Sequence, residues 1–378
     1  MNNILIMNDI RKQFPQLQNT NVVFFDTAAS ALKPQCVIDA VVDAMSNHYA
    51  NVHRGGYEWA SQITTEFEEA RKSAQKFINA KSDKEIIFTR NATEGVNLLA
   101  SCLGLNKDDE VLVSKYEHHA NLVPWQQFDI KIFDENNIED LISDKTKIVA
   151  ITAMSNVLGY VPEIKKIIKI AHDNGAKVVL DVCQYIVHHK VDVQEFDVDF
   201  IVFSGHKIYG PTGVGVLYGR EDLLNQLSPY QYGGDMVENV SYETSTFKKA
   251  PVRFEAGTPA IVEVIGLKSA IEFMQTINFE KEKEISDYLK VKLLEIDGLK
   301  LFGDNGVFCF DLCGIHASDV AFMLNKYNVC VRIGHHCAQP LVNSLGYNSL
   351  ARASVGVYTT KKDVDLFVEA LIKVKKFF

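Results

Sequence analysis

Residues 176–207 read AKVVLDVCQYIVHHKVDVQEFDVDFIVFSGHK. Two short apolar runs, 178–180 and 200–203, are typical of strands buried inside a sheet. Polar residues follow each run, with Asp181 after the first and Ser204 to Lys207 after the second. Ligands bind at the carboxyl ends of the strands in parallel sheets. The stretch therefore predicts both the sheet and the edge at which a functional site lies.

The same pattern continues outward over residues 85–218, where strand-like runs alternate with helical patterns. The other strand-like runs are 85–89, 110–114 and 147–152, and the helical patterns are 93–104 and 163–174. This alternation is typical of an α/β protein whose mostly parallel sheet is covered by helices.

The pattern of predicted helices and strands changes after about residue 272, which indicates a second structural unit. The predicted elements there are helices at 279–296, 318–327 and 361–375 and strands at 307–312 and 329–332. They predict a smaller α+β domain with its own sheet. We expect a large domain over residues 21–270 and a small domain made of 1–20 and 271–378.

Composition excludes several classes of protein. The chain has 378 residues, with 39 basic and 48 acidic side chains and a net charge of −9, which argues against a nucleic-acid partner. It has no run of 18 apolar residues, so no membrane span is expected. The amino terminus has no basic start, so no secretory signal is expected. Seven cysteines without a CxxC pair indicate a reducing, cytoplasmic location.

Four kinds of group converge on the predicted strand ends. Lys207 taken alone is most simply a surface lysine, Asp181 a turn residue and Thr93 part of a helix cap. His118 is suited to stacking or proton transfer, whereas a metal site with His119 is disfavoured because adjacent side chains point apart. Together, a lysine, a carboxylate, a helix start that binds phosphate and a histidine are what a pyridoxal phosphate (PLP) site requires.

At this point the chain resembles the class V aminotransferase-fold family, and within it the SufS-like (group II) cysteine desulfurases and selenocysteine lyases. The matching strings run in order along the chain: Asp26-Thr-Ala-Ala-Ser30, His53-Arg-Gly55, Thr93-Glu-Gly-Val-Asn97, Glu117-His-His-Ala-Asn-Leu-Val-Pro-Trp125, Ser155-Asn-Val-Leu-Gly159, Ser204-Gly-His-Lys-Ile-Tyr-Gly-Pro-Thr-Gly213, Arg253-Phe-Glu-Ala-Gly-Thr-Pro259, Arg332-Ile-Gly-His-His-Cys-Ala338 and Arg352-Ala-Ser354.

The resemblance implies a PLP-dependent transferase of fold type I, with helices on both faces of the large sheet and a smaller α+β domain. It implies a cysteine desulfurase that converts L-cysteine to L-alanine and leaves the sulfur on an enzyme cysteine as a persulfide. The sulfur would serve processes such as iron–sulfur cluster assembly, and selenocysteine would also be a substrate. The implied partners are a second copy of the chain and a sulfur-acceptor protein, SufE-like or SufU-like.

The resemblance also implies a role for each matching residue, and no metal ligand. Lys207 would bind the cofactor covalently, and His118 would stack on its ring and move protons. Residues implied to contact the cofactor ring are Asp181 at its nitrogen and Gln184 at its hydroxyl. Residues implied to hold its phosphate are Thr93, Ser204, His206 and, from the neighbouring subunit, Thr258. Residues implied at the substrate carboxylate are Asn156 and Arg352, with Arg332 and His53 nearby.

Cys337 is the cysteine to which the resemblance assigns the attack on sulfur, although most cysteines are buried structural residues. Its place between Gly334 and Pro340 predicts an accessible, mobile loop. The departures from the family pattern are Ala92, Cys183, Tyr185 and shorter segments between 125 and 147 and before 307. Two other interpretations stay open: another class V reaction, such as transamination, epimerisation or C–S lysis, and a scaffold without catalytic activity.

Overall fold

The structure is a computed structural model that describes residues 7–378. The helices are α1 (Met7–Lys12), α2 (Pro15–Gln18), α3 (Gln35–Asn47), α4 (Glu58–Phe77), α5 (Ala92–Cys102), α6 (Ile138–Leu141), α7 (Ile164–Asp173), α8 (Tyr185–His188), α9 (Val193–Phe196), α10 (Glu221–Leu224), α11 (Ile261–Met274), α12 (Phe279–Leu294), α13 (Ala317–Asn325), α14 (Gln339–Ser344) and α15 (Lys361–Phe377). The strands are β1 (Val23–Phe24), β2 (Ile86–Thr89), β3 (Glu110–Ser114), β4 (Asp129–Phe133), β5 (Thr146–Thr152), β6 (Lys177–Asp181), β7 (Phe200–Ser204), β8 (Gly215–Gly219), β9 (Val237–Val240), β10 (Ser245–Phe247), β11 (Leu299–Asp304), β12 (Val307–Leu312), β13 (Val329–Cys330), β14 (Arg332–Gly334) and β15 (Leu350–Ser354). None of the helices formed by residues 7–378 is both long and apolar enough to cross a membrane.

A seven-stranded sheet forms the larger part of the molecule, in the order β2-β8-β7-β6-β5-β3-β4. Neighbouring strands are parallel except that β8 runs antiparallel to both β2 and β7. The predicted α/β class with a mostly parallel sheet is confirmed. The carboxyl ends of β5, β6 and β7 therefore lie side by side at one edge.

Both faces of this sheet are buried, which explains why its strands read as continuous apolar runs. Along β6, Val178 and Leu180 belong to one hydrophobic cluster, and Val179 between them belongs to the cluster on the opposite face. Helices α4 and α11 contribute to the first cluster and α5 to the second. The prediction of helices on both faces of the sheet is confirmed.

A second sheet is antiparallel, in the order β11-β12-β15-β14. Helices α12, α13 and α15 bury one of its faces through residues such as Leu289, Leu324 and Phe367. The predicted strand at 329–332 is interrupted, because β13 pairs in parallel with β1 whereas β14 pairs with β15. Val331 is the residue at which the chain changes partner.

The amino-terminal segment packs differently from the predicted domain division. Phe14 and Leu17, which we assigned to the small domain, are buried in the hydrophobic cluster of the large sheet. Val23 and Phe25, which we assigned to the large domain, are buried with the small sheet. Each of these apolar side chains is placed by the hydrophobic cluster in which it is buried, and not by its position relative to residue 20. Residues 1–6 lie outside the described residues, and the boundary near residue 270 stays a prediction.

A buried ion pair closes the β2 edge of the large sheet. Arg71 of α4 is 2% exposed and forms two hydrogen bonds to the Glu255 carboxylate, of 2.7 and 2.9 Å. The same arginine donates to the Ile86 carbonyl, and Glu255 accepts from the Phe88 amide. The pair thus satisfies backbone groups of an edge strand that would otherwise be buried without partners.

We expect Glu255→Gln to lower the free energy of unfolding by about 3 kcal/mol, because it removes the buried one of the two carboxylates that pair with Arg71 and leaves only the part-exposed Glu68. Urea denaturation followed by circular dichroism measures this. The matched control is Glu69→Gln, whose carboxylate pairs with Lys268 at an exposed position and should contribute less than about 1 kcal/mol. Equal effects of the two substitutions would contradict the assignment.

Candidate active site

A cavity of about 210 Å³ lies at the carboxyl edge of the large sheet, where the small sheet faces it. It brings together most of the residues singled out from the sequence: Thr93, His118, Asn156, Asp181, Cys183, Gln184, Ser204, His206, Lys207, Arg332, Cys337 and Arg352. Ala92, noted as a departure, also lines it. These residues are far apart in the sequence, and the topology of the sheet is what makes them neighbours.

Two predicted residues do not line this cavity. His53 lies on the surface, where its Nε2 atom is 2.9 Å from Glu68 Oε1 and its ring packs edge-on against Phe67. Thr258 is exposed to solvent. The expectation that His53 lies near Asn156 and Arg352 is therefore not met within one chain. The role of Thr258 was predicted for a neighbouring subunit and stays a prediction.

Lys207 ends a 3-10 turn, Gly205–Lys207, that directly follows β7. Its Nζ atom donates a hydrogen bond to the Ala28 carbonyl. Burial is the main cause that lowers the pKa of Lys207 to about 8; Arg352 and Arg332 act in the same direction, and Cys183 and Asp181 oppose them. A lysine with a lowered pKa has a larger fraction of neutral amine, which is the form that reacts with a carbonyl group.

Asp181 is the last residue of β6, and its Oδ1 atom accepts a 2.9 Å hydrogen bond from the Cys183 amide. Burial raises the pKa of Asp181, and its hydrogen bonds and Lys207 counteract part of that effect. Cys183 also faces the cavity. It does so from the turn that follows β6, because the strand ends at Asp181. Burial raises the pKa of the Cys183 thiol well above its usual value.

An anion-binding corner forms where α5 begins. Asn91 caps the helix by accepting a 2.9 Å hydrogen bond from the Glu94 amide, and the Ala92 amide donates to Ser204 Oγ. Gly215 permits this close packing, because a Cβ atom there would lie 2.7 Å from the Asn91 Cα atom. The helix start, the hydroxyls and His206 together suit a phosphate group.

His118 sits on the opposite wall in a fixed tautomer. Its Nδ1 atom accepts a 3.0 Å hydrogen bond from the Ala120 amide, which places the proton of the neutral ring on Nε2. Burial and, secondarily, Lys207 lower the pKa of His118 to about 4. The ring is therefore neutral at physiological pH, which suits stacking on a planar cofactor, and its Nε2 atom is left as a donor.

Next to His118 lies Glu117, a buried carboxyl group that sequence reasoning did not single out. It accepts hydrogen bonds from the Thr152 amide and, at 2.8 Å, from Asn121 Nδ2. Burial raises the pKa of Glu117 to about 8, and the negative charge of Asp181 adds to the effect. Glu117 and Asp181 together can thus hold one negative charge more easily than two.

The small sheet contributes the group suited to a substrate carboxylate. Arg352 of β15 is 2% exposed; it donates a 2.9 Å hydrogen bond to the Asn156 carbonyl and lies 3.6 Å from Asp26 Oδ1. Within residues 7–378, its Nε atom, Asn156 Oδ1 and His336 Nδ1 have no hydrogen-bond partner. A guanidinium with unused donors is well matched to a carboxylate.

Cys337 lies at the mouth of the cavity, in the turn between β14 and α14, and is exposed as predicted. Its backbone is anchored, which differs from the predicted mobile loop. The Cys337 carbonyl accepts a 2.7 Å hydrogen bond from the His119 amide, and His119 Nε2 accepts one from the Gln339 amide. His336 and Cys337 both have left-handed φ angles, 53° and 55°, each costing roughly 1–2 kcal/mol. These contacts anchor the backbone from which the thiol projects.

Asp26, Ala28 and His336 also line or border the site without having been assigned a role. All three lie inside strings that carry the family resemblance, so the signal was present. What the sequence did not show is that the Ala28 carbonyl accepts from both Lys207 Nζ and Gln184 Nε2. A backbone acceptor has no mark in the side-chain sequence.

The residues present fit PLP. A nucleophilic lysine, a buried carboxyl group for a ring nitrogen and a helix start with hydroxyls for a phosphate share one cavity. No set of three or more histidine, cysteine, aspartate or glutamate side chains suited to a metal ion occurs among residues 7–378.

Comparisons with known proteins agree with this geometry. The family model described as aminotransferase class-V matches residues 23–367. A probable cysteine desulfurase of Staphylococcus epidermidis is 43% identical over 97% of this chain and 96% of its own. A cysteine desulfurase of Wigglesworthia glossinidia brevipalpis is 40% identical over 98% of both chains. The crystal structure of the cysteine desulfurase CsdA (S-sulfonic acid) from Escherichia coli superposes with a TM-score of 0.93, at 38% identity and full coverage of both chains.

The lowered pKa of Lys207 predicts how covalent attachment of PLP to the cofactor-free protein depends on pH. The rate should rise from about pH 6 and level off above about pH 8, because the neutral amine fraction increases through the pKa. Stopped-flow absorbance measures the rate. Borohydride reduction and peptide mapping should place the pyridoxyl label on Lys207, and Lys207→Ala should carry none. Label on another lysine would contradict the assignment.

Proposed function

The chain belongs to the class V aminotransferase family and is a PLP-dependent cysteine desulfurase, and on that premise we propose how its residues divide the reaction. One observation carries the proposal: an exposed thiol, Cys337, shares a cavity with a lysine of lowered pKa and a buried arginine. The reaction takes L-cysteine to L-alanine and transfers the sulfur atom to Cys337.

Substrate binding is the task of the small-sheet side of the cavity. Arg352 binds the substrate carboxylate through donors that the described residues leave unused, and Asn156 supplies a further polar contact. Arg332 lines the same cavity and adds positive charge. Because a guanidinium recognises a carboxylate in a fixed plane, this arrangement selects amino acids over simple amines.

The large sheet supplies the groups that hold PLP and move protons. When bound, PLP withdraws the negative charge that develops on the substrate α-carbon. Asp181 would pair with the ring nitrogen and favour its protonated form, and Gln184 would contact the ring hydroxyl. Thr93, Ser204 and His206 would hold the phosphate, and His118 would pack its neutral ring over the cofactor. Lys207 would take the α-proton of the substrate and return a proton when alanine forms.

Cys337 receives the sulfur. Its thiolate attacks the substrate sulfur, a new S–S bond forms, and the C–S bond breaks with its electron pair left on the carbon side. Protonation of that carbon gives alanine, so cysteine and the enzyme thiol become alanine and the enzyme persulfide with no external oxidant. The anchored loop presents the sulfur at the mouth of the cavity, where an acceptor can reach it.

We propose that the enzyme acts as a homodimer. Ile38, Val42 and Met45 are 37%, 55% and 62% exposed and lie on one face of α3, as their spacing requires. An apolar helix face of this kind is typical of an interface between subunits. Thr258 and His53, which do not line the cavity of their own chain, would then be available to the partner's site.

The acceptor of the persulfide sulfur is a second proposed partner. An exposed thiol at the surface suits a SufE-like or SufU-like protein that carries sulfur to processes such as iron–sulfur cluster assembly, and selenocysteine would follow the same path. We propose a cytoplasmic location, because all seven cysteines are free and the reaction needs Cys337 reduced.

Cys337→Ser tests the division of labour. It should bind PLP normally and still show a spectral change with L-cysteine, while sulfide release falls by at least about 100-fold, because a serine hydroxyl is a far weaker nucleophile than a thiol at neutral pH. Alanine and sulfide assays with a reductant measure this. After one turnover of the wild type, mass spectrometry should find the added sulfur on the Cys337 peptide. Near-normal sulfide release by the variant would favour simple C–S lysis.

Cys183→Ala provides the matched comparison, because Cys183 is the other thiol that lines the cavity. Its buried thiol has a raised pKa and is a poor nucleophile, so activity should stay within about tenfold of the wild type. Cysteine desulfurase assays under identical conditions measure the ratio. Loss of activity as complete as that in Cys337→Ser would show that both thiols react.

A further inference from the structure

His119 directly follows His118, but its half-buried side chain contacts the Cys337 turn and not the active-site cavity. Its amide donates a 2.7 Å hydrogen bond to the Cys337 carbonyl, and its Nε2 atom accepts a 3.0 Å hydrogen bond from the Gln339 amide. The second contact places the proton of the neutral ring on Nδ1. One residue thus holds the turn through both its main chain and its side chain, and no step of the proposed reaction uses it.

The side-chain contact serves as the cap of α14. Ala338 occupies the cap position of this helix, and its methyl side chain cannot accept a hydrogen bond. Pro340, at the second helical position, has no N–H group, so the Gln339 amide is the first that needs an acceptor. A helix cap is normally a neighbour in sequence. Here His119 supplies the acceptor from 220 positions away, and so attaches the carboxyl side of the Cys337 turn to the segment after β3.

The Cys337 turn needs such support because its backbone is strained. His336 and Cys337 are both in the left-handed region, which is unfavourable for residues that carry a Cβ atom. Conformations of this kind persist only where surrounding contacts hold them. On the amino side of Cys337, Asn156 Nδ2 donates a 2.6 Å hydrogen bond to the His336 carbonyl. On the carboxyl side the contact is His119, so loss of its ring acceptor would release the turn on that side.

The segment that carries His119 is itself attached to the large sheet. Glu117 accepts a hydrogen bond from the Thr152 amide at the end of β5, and His118 Nδ1 accepts one from the Ala120 amide. His119 therefore lies between two functional positions. One peptide bond joins it to the residue that we propose packs over the cofactor, and two hydrogen bonds join it to the turn that carries the sulfur-accepting thiol.

We propose that His119 is a positioning residue for sulfur transfer, whose ring acceptor keeps the Cys337 turn at a fixed place relative to His118 and the cofactor. The inference rests on the proposed function, in which the Cys337 thiolate attacks the substrate sulfur. A thiol on a released turn samples more positions, so fewer molecules hold the two sulfur atoms in the geometry of attack. PLP binding and the spectral change with L-cysteine do not involve Cys337, so they do not depend on this contact.

A matched pair of substitutions tests the ring acceptor. His119→Gln keeps an acceptor, because glutamine Oε1 and histidine Nε2 are the same number of bonds from the backbone, whereas His119→Met has similar length but only a weakly accepting sulfur. In a single turnover with L-cysteine, alanine formation should slow about fivefold in His119→Met and stay within about twofold of the wild type in His119→Gln, because a neutral hydrogen bond contributes about 1 kcal/mol. PLP content and the spectral change should match the wild type in both. Equal rates in the two variants, or loss of the spectral change in His119→Met, would overturn the proposal.

Hydrogen–deuterium exchange of the PLP-loaded enzyme without substrate tests the contact independently of activity. With electron-transfer fragmentation and mass spectrometry, the Gln339 amide of the wild type should exchange at least about fivefold more slowly than that of His119→Met. A wild-type Gln339 amide that exchanges as fast as a free amide would contradict the proposal, and this measurement is available even if the methionine variant folds poorly.

His316→Met is the matched control. His316 also caps a helix of the small-sheet side, because its Nδ1 atom accepts a 3.3 Å hydrogen bond from the Ser318 amide at the start of α13. Its loss should change alanine formation and Gln339 exchange less than about twofold, and a larger effect would show that the response is not specific to His119. A wild type that forms no alanine would refute the proposed function and this inference with it, and would leave the exchange difference in place.

Discussion

Arg352 carries a permanent positive charge that is buried between the two sheets, and neighbouring groups of the protein compensate that charge only in part. Asp26 lies 3.6 Å away and the Asn156 carbonyl accepts one hydrogen bond, yet the Nε donor has no partner among residues 7–378. Removing a charge from water costs several kcal/mol unless an anion compensates. The substrate carboxylate that we propose to bind here would complete this set, so that proposal ties substrate binding and the packing of the two sheets to the same arginine.

The groups around the arginine are arranged by the same electrostatic logic. Burial keeps His118 neutral and lowers the pKa of Lys207, while the carboxyl groups of Glu117 and Asp181 compete for one negative charge. Parallel strands bring these groups to one edge without any of them being close in sequence. The Cys337 turn then crosses from the small sheet and is held by His119, so the thiol reaches the edge that carries the other groups.

Local signals explain what the sequence could predict. Asp181 ends one apolar strand and Lys207 lies three residues beyond the end of the next, and the position of a strand end in a parallel sheet is enough to place them. Strand ends could not predict the contacts that depend on residues distant in the sequence. The interruption at Val331 arises from pairing with β1, the Ala28 acceptor is a backbone atom, and His53 contacts Glu68, which lies on a separate element, α4. The motif strings identify such residues but do not predict which atoms they contact.

The pairing of β1 with β13 has a consequence for biosynthesis. Val23 pairs with Val329, so 306 residues (329 − 23) must be translated before the amino-terminal strand finds its partner. At typical rates of 5–20 residues per second, this takes roughly 15 to 60 s on the ribosome. Throughout that time a short apolar strand remains unpaired, and Arg352 has not yet been made. The nascent chain therefore cannot assemble a reactive sulfur site, and the cell meets a competent enzyme only when synthesis is almost complete.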